Sequence, residues 1–173
     1  AAFTAFTAAN FATLSGKGDA YYIPPFLFAA IFYILISFLI KSQITWLMAL
    51  VAFTCWICVQ SASLTEWEPY FLGMNFVLRF FLYSLILTVC VYQARNIKVF
   101  QPFYPLTFYY GLCLSFVSLW AVSICGNSGT WEEWNKISQI HFWPWALLST
   151  GVSALAAYMG WKKNWLLLQN FGI

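Results

Sequence analysis

Charge is scarce in this chain, and its scarcity excludes most familiar functions. Of 173 residues only 8% are charged, eight basic and five acidic, while 62% are hydrophobic and 22% aromatic. A soluble core cannot hide that much apolar surface in so short a chain, so lipid must cover much of it. Histidine occurs once, as His141, which rules out bis-histidine haem ligation within the chain and leaves a zinc site without nitrogen partners. No Ser-His-Asp arrangement, glycine-rich phosphate loop or metal-ligand spacing is present. No metal and no cofactor is implied beyond bound lipid, and a catalytic function is the weakest reading. The apolar stretches contain no Asp or Glu, which argues against a proton relay or a cation-coupled transporter. Linkers, low-complexity tails and a soluble domain are also lacking.

What is there is apolar length. A helix needs roughly 20 mostly apolar residues, at about 1.5 Å each, to cross a hydrocarbon core about 30 Å thick. Five stretches meet that requirement: Ile23–Ile40, Ile44–Ala62, Phe71–Tyr92, Phe103–Cys125 and Ile140–Trp161. Prolines 24, 25, 102, 105 and 144 fall at or near the starts of these runs, where a missing N–H costs least. The runs are continuous and lack a period of two, which argues against a β-barrel. The fold expected is therefore an all-α, polytopic membrane helix bundle of about five transmembrane helices.

The few charges set its orientation. Lys41, Arg95, Lys98, Lys162 and Lys163 gather at one set of helix ends; Asp19, Glu66, Glu68, Glu132 and Glu133 gather at the other, with Lys17 and Lys136. Under the positive-inside rule the first set is cytoplasmic, placing the N-terminus outside and the C-terminus inside. Residues 1–22 then form an extracytoplasmic segment, an interfacial helix or extended arm, and 23–173 the bundle. A signal peptide removed before Ala1 would explain both that start and the crossing of this segment, and plain trimming of the sequence is the alternative for the start. The membrane expected is a bacterial-type inner membrane or one derived from it. With a net charge of +3 and the cations at the inner rim, anionic lipid head groups account for the basic residues, and nucleic acid is not an expected partner.

Between the spans, "KSQ" at 41–43 reads as a tight hairpin that makes the first two helices antiparallel neighbours. Small residues recur at helical spacing in the fourth span (Thr107, Gly111, Ser115, Ser118) and in the fifth (Ser149, Ser153, Ala157, Gly160). Close backbone approach replaces hydrophobic force in lipid, so these stripes are expected to face each other or a shared neighbour. The segments "ICVQSASLTEWE" at 57–68 and "ICGNSGTWEEW" at 124–134 echo each other weakly, which a duplicated helix pair or chance would produce. "CWIC" at Cys55–Cys58 has the spacing of a redox pair but sits in an apolar run, so two small buried residues are the better reading.

Two candidate sites remain. Arg79 in "NFVLRFFLY" stands eight residues inside the third stretch, a depth at which an unpaired arginine costs about 2.5–3.5 kcal/mol. Asn75 and Tyr83, four residues to either side, share its helical face. A contact from Arg79 to Glu66 or Glu68 is expected, pinning the second and third helices; His141 joins the set as an interfacial residue. The second site is the pair of acidic-aromatic loops, with Trp67, Trp131, Glu132, Glu133 and Trp134 as docking residues for other membrane subunits. Together they suggest a non-enzymatic subunit of a larger membrane assembly. A small channel, transporter or lipid-binding protein, with Arg79 as anion or head-group contact, is the alternative.

Overall fold

The computed structural model describes residues 23–64 and 68–162. Among them the chain is all-helical apart from one two-residue strand pair. The elements run α1 (Ile23–Ile40), α2 (Gln43–Ser63), β1 (Tyr70–Phe71), β2 (Met74–Asn75), α3 (Phe76–Gln93), α4 (Tyr104–Cys125), α5 (Trp131–Lys136) and α6 (Trp143–Lys162). Short 3-10 turns occupy Ala94–Asn96 and Gln139–Phe142. Three helices are long and apolar enough to cross a membrane, Gln43–Ser63, Phe76–Asn96 and Tyr104–Cys125, with a shorter apolar helix at Pro25–Ile40.

Two compact units divide the chain, Ala1–Glu68 with Thr88–Tyr110 and Pro69–Leu87 with Gly111–Ile173. In the first, α1 and α2 are antiparallel neighbours, as the "KSQ" turn requires. Lys41 takes a left-handed φ of 51°, and the Ser42 hydroxyl then caps α2 by accepting the Thr45 N–H. Small side chains let the two backbones approach: Ala29, Ala30 and Ala52 form a buried cluster flanked by Tyr33 and Phe53. A second cluster joins Trp46, Leu50 and Phe103, with Ile34, Phe100, Leu106 and Tyr110 against it. In the second unit Phe81, Leu119 and Val122 pack beneath Val77, Leu78, Phe116 and Trp145.

Beyond these apolar clusters, small polar side chains are also buried and many large apolar ones are exposed. Ser37 and Ser84 are fully buried, while Leu39 is 82% exposed and Trp161 73%. Ser37 donates its hydroxyl to the Ile34 carbonyl and Ser84 to the Phe81 carbonyl, each one turn back, so neither of these two is an orphaned donor. Large apolar groups facing outward are compatible with a surface covered by lipid.

One expectation is corrected here. The third helix starts at Phe76, not Phe71, because residues 70–75 turn back as a hairpin with Tyr70 opposite Asn75 and Phe71 opposite Met74. Leu72 and Gly73, both at positive φ (51° and 75°), have the signs of a type I′ turn, which the twist of a two-stranded ribbon favours. In the small-residue stripe of α4, Thr107 meets Trp46 of α2, and Ser118 meets Ser84 of α3. Residues 57–63 remain helical, whereas the helix at 124–125 stops at Gly126, whose φ of 57° is a left-handed C-terminal cap.

Candidate functional site

The second unit is closed at one end by a polar cap, built from the 70–75 hairpin, residues 126–130 and α5. Asn75 is its centre. The Asn75 side-chain oxygen accepts the Leu78 N–H at 2.9 Å, capping α3. Its amide nitrogen donates to the carbonyls of Gly126 at 3.1 Å and Ser128 at 2.9 Å. Asn127 answers from the facing loop: its side-chain oxygen accepts the Asn75 N–H at 2.8 Å and its amide donates to the Gly73 carbonyl at 2.7 Å. Loop carbonyls and amides that would otherwise lie unpaired at the end of a bundle are thus satisfied by two asparagines.

A second clasp lies beside the first. The Thr130 hydroxyl accepts the Glu133 N–H at 3.2 Å and caps α5, and the Glu133 carboxylate reaches back to accept the Gly129 N–H at 3.0 Å. This is a capping box extended by one residue. The Tyr70 hydroxyl donates to that same carboxylate and accepts the Gly129 N–H at 2.8 Å. Gly129 is required there, since a Cβ would lie 2.7 Å from the Tyr70 ring and 2.8 Å from Pro69. The hydrogen bond from Tyr70, followed by that from Gly129, holds the Glu133 carboxyl below its ordinary pKa. The same bond to Glu133, with some desolvation, pushes the Tyr70 phenol above its own.

The predicted site residues fall into different roles. Asn75 is a strand residue and helix cap, so it shares no helical face with Tyr83, whose ring lies 6.1 Å from that of Phe80. Arg79 is the fourth residue of α3, only about 4.5 Å from the helix start, so the expectation of a deeply placed charge is wrong. Its Nε donates to the Asn75 carbonyl at 3.4 Å, and its guanidinium lies over the rings of Phe71 and Phe76 at 6.0 and 5.7 Å. Those contacts offset the mismatch of a cation at a helix N-terminus. Glu66 and Trp67 lie outside the described residues; Glu68 is exposed and belongs to the first unit. His141 is exposed in the 3-10 turn before α6.

Of the docking residues, Glu133 is engaged in the clasp and Trp134 donates its indole N–H to the Ile124 carbonyl at 3.0 Å. Trp131 stacks on Trp134 at 4.7 Å yet is 71% exposed, and Glu132 beside it is exposed. Sequence reasoning missed Tyr70, Gly126, Asn127 and Gly129. Two local signals pointed to them: Thr130 three residues before Glu133, and the "NSG" run after an apolar helix.

Cys55 and Cys58 stand half-buried one turn apart in α2, with free sulfurs. Among the described residues no three His, Cys, Asp or Glu side chains converge on a possible metal position. The cap's polar groups are occupied with each other, apart from the buried Ser128 hydroxyl, which has no partner among the described residues; such a network suits a rigid platform. No protein-family pattern, curated protein or solved structure matches the chain.

Proposed function

We propose that the chain is a non-enzymatic subunit of a larger membrane assembly. It crosses the bilayer five times, through α1, α2, α3, α4 and α6, with its N-terminus outside and its C-terminus in the cytoplasm of a bacterial-type inner membrane or one derived from it. The charge distribution supports the orientation: with this topology the two outer loops carry the glutamates, and the inner turns carry cations alone. Trp131 is the observation that carries the docking role. An exposed aromatic fixed by stacking on a hydrogen-bonded neighbour has little freedom to lose on binding, which is the property of an interface anchor. Glu132 beside it supplies a charge at the rim, and Trp67 contributes from the other outer loop.

A small channel, transporter or lipid-binding protein is the second reading, favoured by the position of Arg79. In the first turn of α3 the guanidinium stands at head-group height, where an anion could reach it. Copurification from native membranes separates the two. The subunit reading expects a stoichiometric partner, and Trp67→Ala with Trp131→Ala is expected to cut its recovery about tenfold or more while insertion is unchanged. A chain recovered alone from native membranes, or a double variant that assembles fully, overturns it.

A further inference from the structure

We infer that the first unit carries a binding site for the phosphate of an anionic phospholipid, centred on Arg95. The site lies at the end of that unit where α1 turns into α2 and α3 connects to α4. Arg95 is exposed in the 3-10 turn that follows α3, but its side chain is held in place. Its guanidinium lies 4.7 Å from the centre of the Tyr92 ring, and its Nη1 donates to the Tyr92 hydroxyl at 2.9 Å. Tyr92 is backed by Phe108 at 6.5 Å, which stacks on Tyr104 at 5.8 Å. The remaining guanidinium donors make no hydrogen bond among the described residues. A planar cation fixed on an aromatic ledge with donors to spare is prepared for a phosphate oxygen pair.

The surroundings select a lipid. The connection from α3 to α4 is folded and anchored from beneath: Phe103 is buried and stacks on Trp46 at 4.5 Å, Phe100 lies 5.8 Å from the same indole, and Gln43 donates to the Pro102 carbonyl at 3.4 Å. Yet this ordered segment leaves Ile97 and Val99 exposed on either side of Lys98. Two outward aliphatics between basic residues suit the boundary between head groups and acyl chains. Lys41, in the turn that Gln43 ties to this connection, adds a third cation. Neither residues 23–64 nor 88–110 contain an acidic residue, so nothing within these segments neutralises the three. The acyl chain lies against Ile97 and Val99 while Arg95, Lys98 and Lys41 hold the head group.

The inference rests on the chain being a membrane protein, but not on its having a protein partner. The test is reconstitution into nanodiscs of equal phosphatidylglycerol and phosphatidylcholine, followed by detergent extraction and native mass spectrometry of the lipid retained. The wild-type chain is expected to retain phosphatidylglycerol in preference. Arg95→Gln is expected to lower that preference about fivefold, and Arg95→Lys nearly as much, because an ammonium does not reproduce the planar fork. Lys136→Gln, which removes the same charge from the outer cap, leaves it unchanged. Thermal unfolding of each variant establishes that it is folded. Equal preference in wild type and Arg95→Gln overturns the site, and a wild-type value for Arg95→Lys reduces it to an unstructured charged rim. Inorganic phosphate binding that is lost in Arg95→Gln while phosphatidylglycerol retention is unchanged assigns the site to free phosphate and overturns the lipid as its ligand. A chain that does not enter nanodiscs overturns the membrane reading and this site together.

Discussion

Asn75 and Arg79 sit four residues apart, a spacing that on an uninterrupted helix puts both on one face. The hairpin turn at Leu72–Gly73 breaks that helix, and their roles part. Asn75 becomes the hub of the cap, its N–H and side chain making four hydrogen bonds, and Arg79 becomes a first-turn residue over two phenylalanines. At the same scale the Tyr70–Glu133–Gly129 clasp carries a pH prediction. The Glu133 carboxyl is held below its ordinary pKa, so its contribution to the cap is present above the usual carboxylate value of about 4.3. That contribution is lost as pH falls through the lowered folded value. The Tyr70 phenol is held above its ordinary value; its contribution is present below about 10 and is lost as pH rises through the raised value. Hydrogen exchange of the Gly129 amide is therefore expected to be slow, relative to its intrinsic rate, between those limits and to quicken beyond either. Tyr70→Phe removes the alkaline limb and weakens the acid one. Unchanged protection across the whole range, or in Tyr70→Phe, tells against the clasp.

At the scale of elements, α2 and α4 are joined by polar contacts within the first unit. The Trp46 indole N–H donates to the Thr107 hydroxyl at 2.7 Å, Thr107 itself donates to the Phe103 carbonyl at 2.7 Å, and Thr54 and Tyr110 share a hydrogen bond at 2.9 Å. With lipid outside, such bonds and close packing replace the hydrophobic force that holds soluble helices. Trp46→Phe, which keeps a ring to stack on Phe103, and Thr107→Val are each expected to cost about 0.5–1.5 kcal/mol in detergent unfolding. A double-mutant cycle is expected to show coupling of the same order, and additive losses would mean that the bond does not hold the helices. The α4 stripe was legible in sequence because its small residues recur every three to four positions. Its partners were not, since spacing fixes a face of one helix and says nothing of which helix meets it.

For the whole molecule the expected topology has its own measurement. In a background with all five cysteines replaced by alanine, Ser15→Cys is expected to react with an impermeant thiol reagent from outside intact membranes. Gln169→Cys is expected to react only once the cytoplasmic face is opened. Reaction of both from one side overturns five crossings. The sequence by itself determined that helices here are long and apolar enough to cross a membrane, because 62% hydrophobic and 8% charged residues in runs of roughly 20 favour transfer to lipid, which depends on composition and length alone. It also determined the α1–α2 hairpin, where a two-residue connection leaves the chain no other neighbour. Only the tertiary structure decided the cap. Asn75, Asn127, Tyr70 and Glu133 are separated by up to about sixty positions and carry no periodicity that links them. Which carbonyl an amide meets depends on where the intervening helices bring the loops, and no local pattern of residues encodes that.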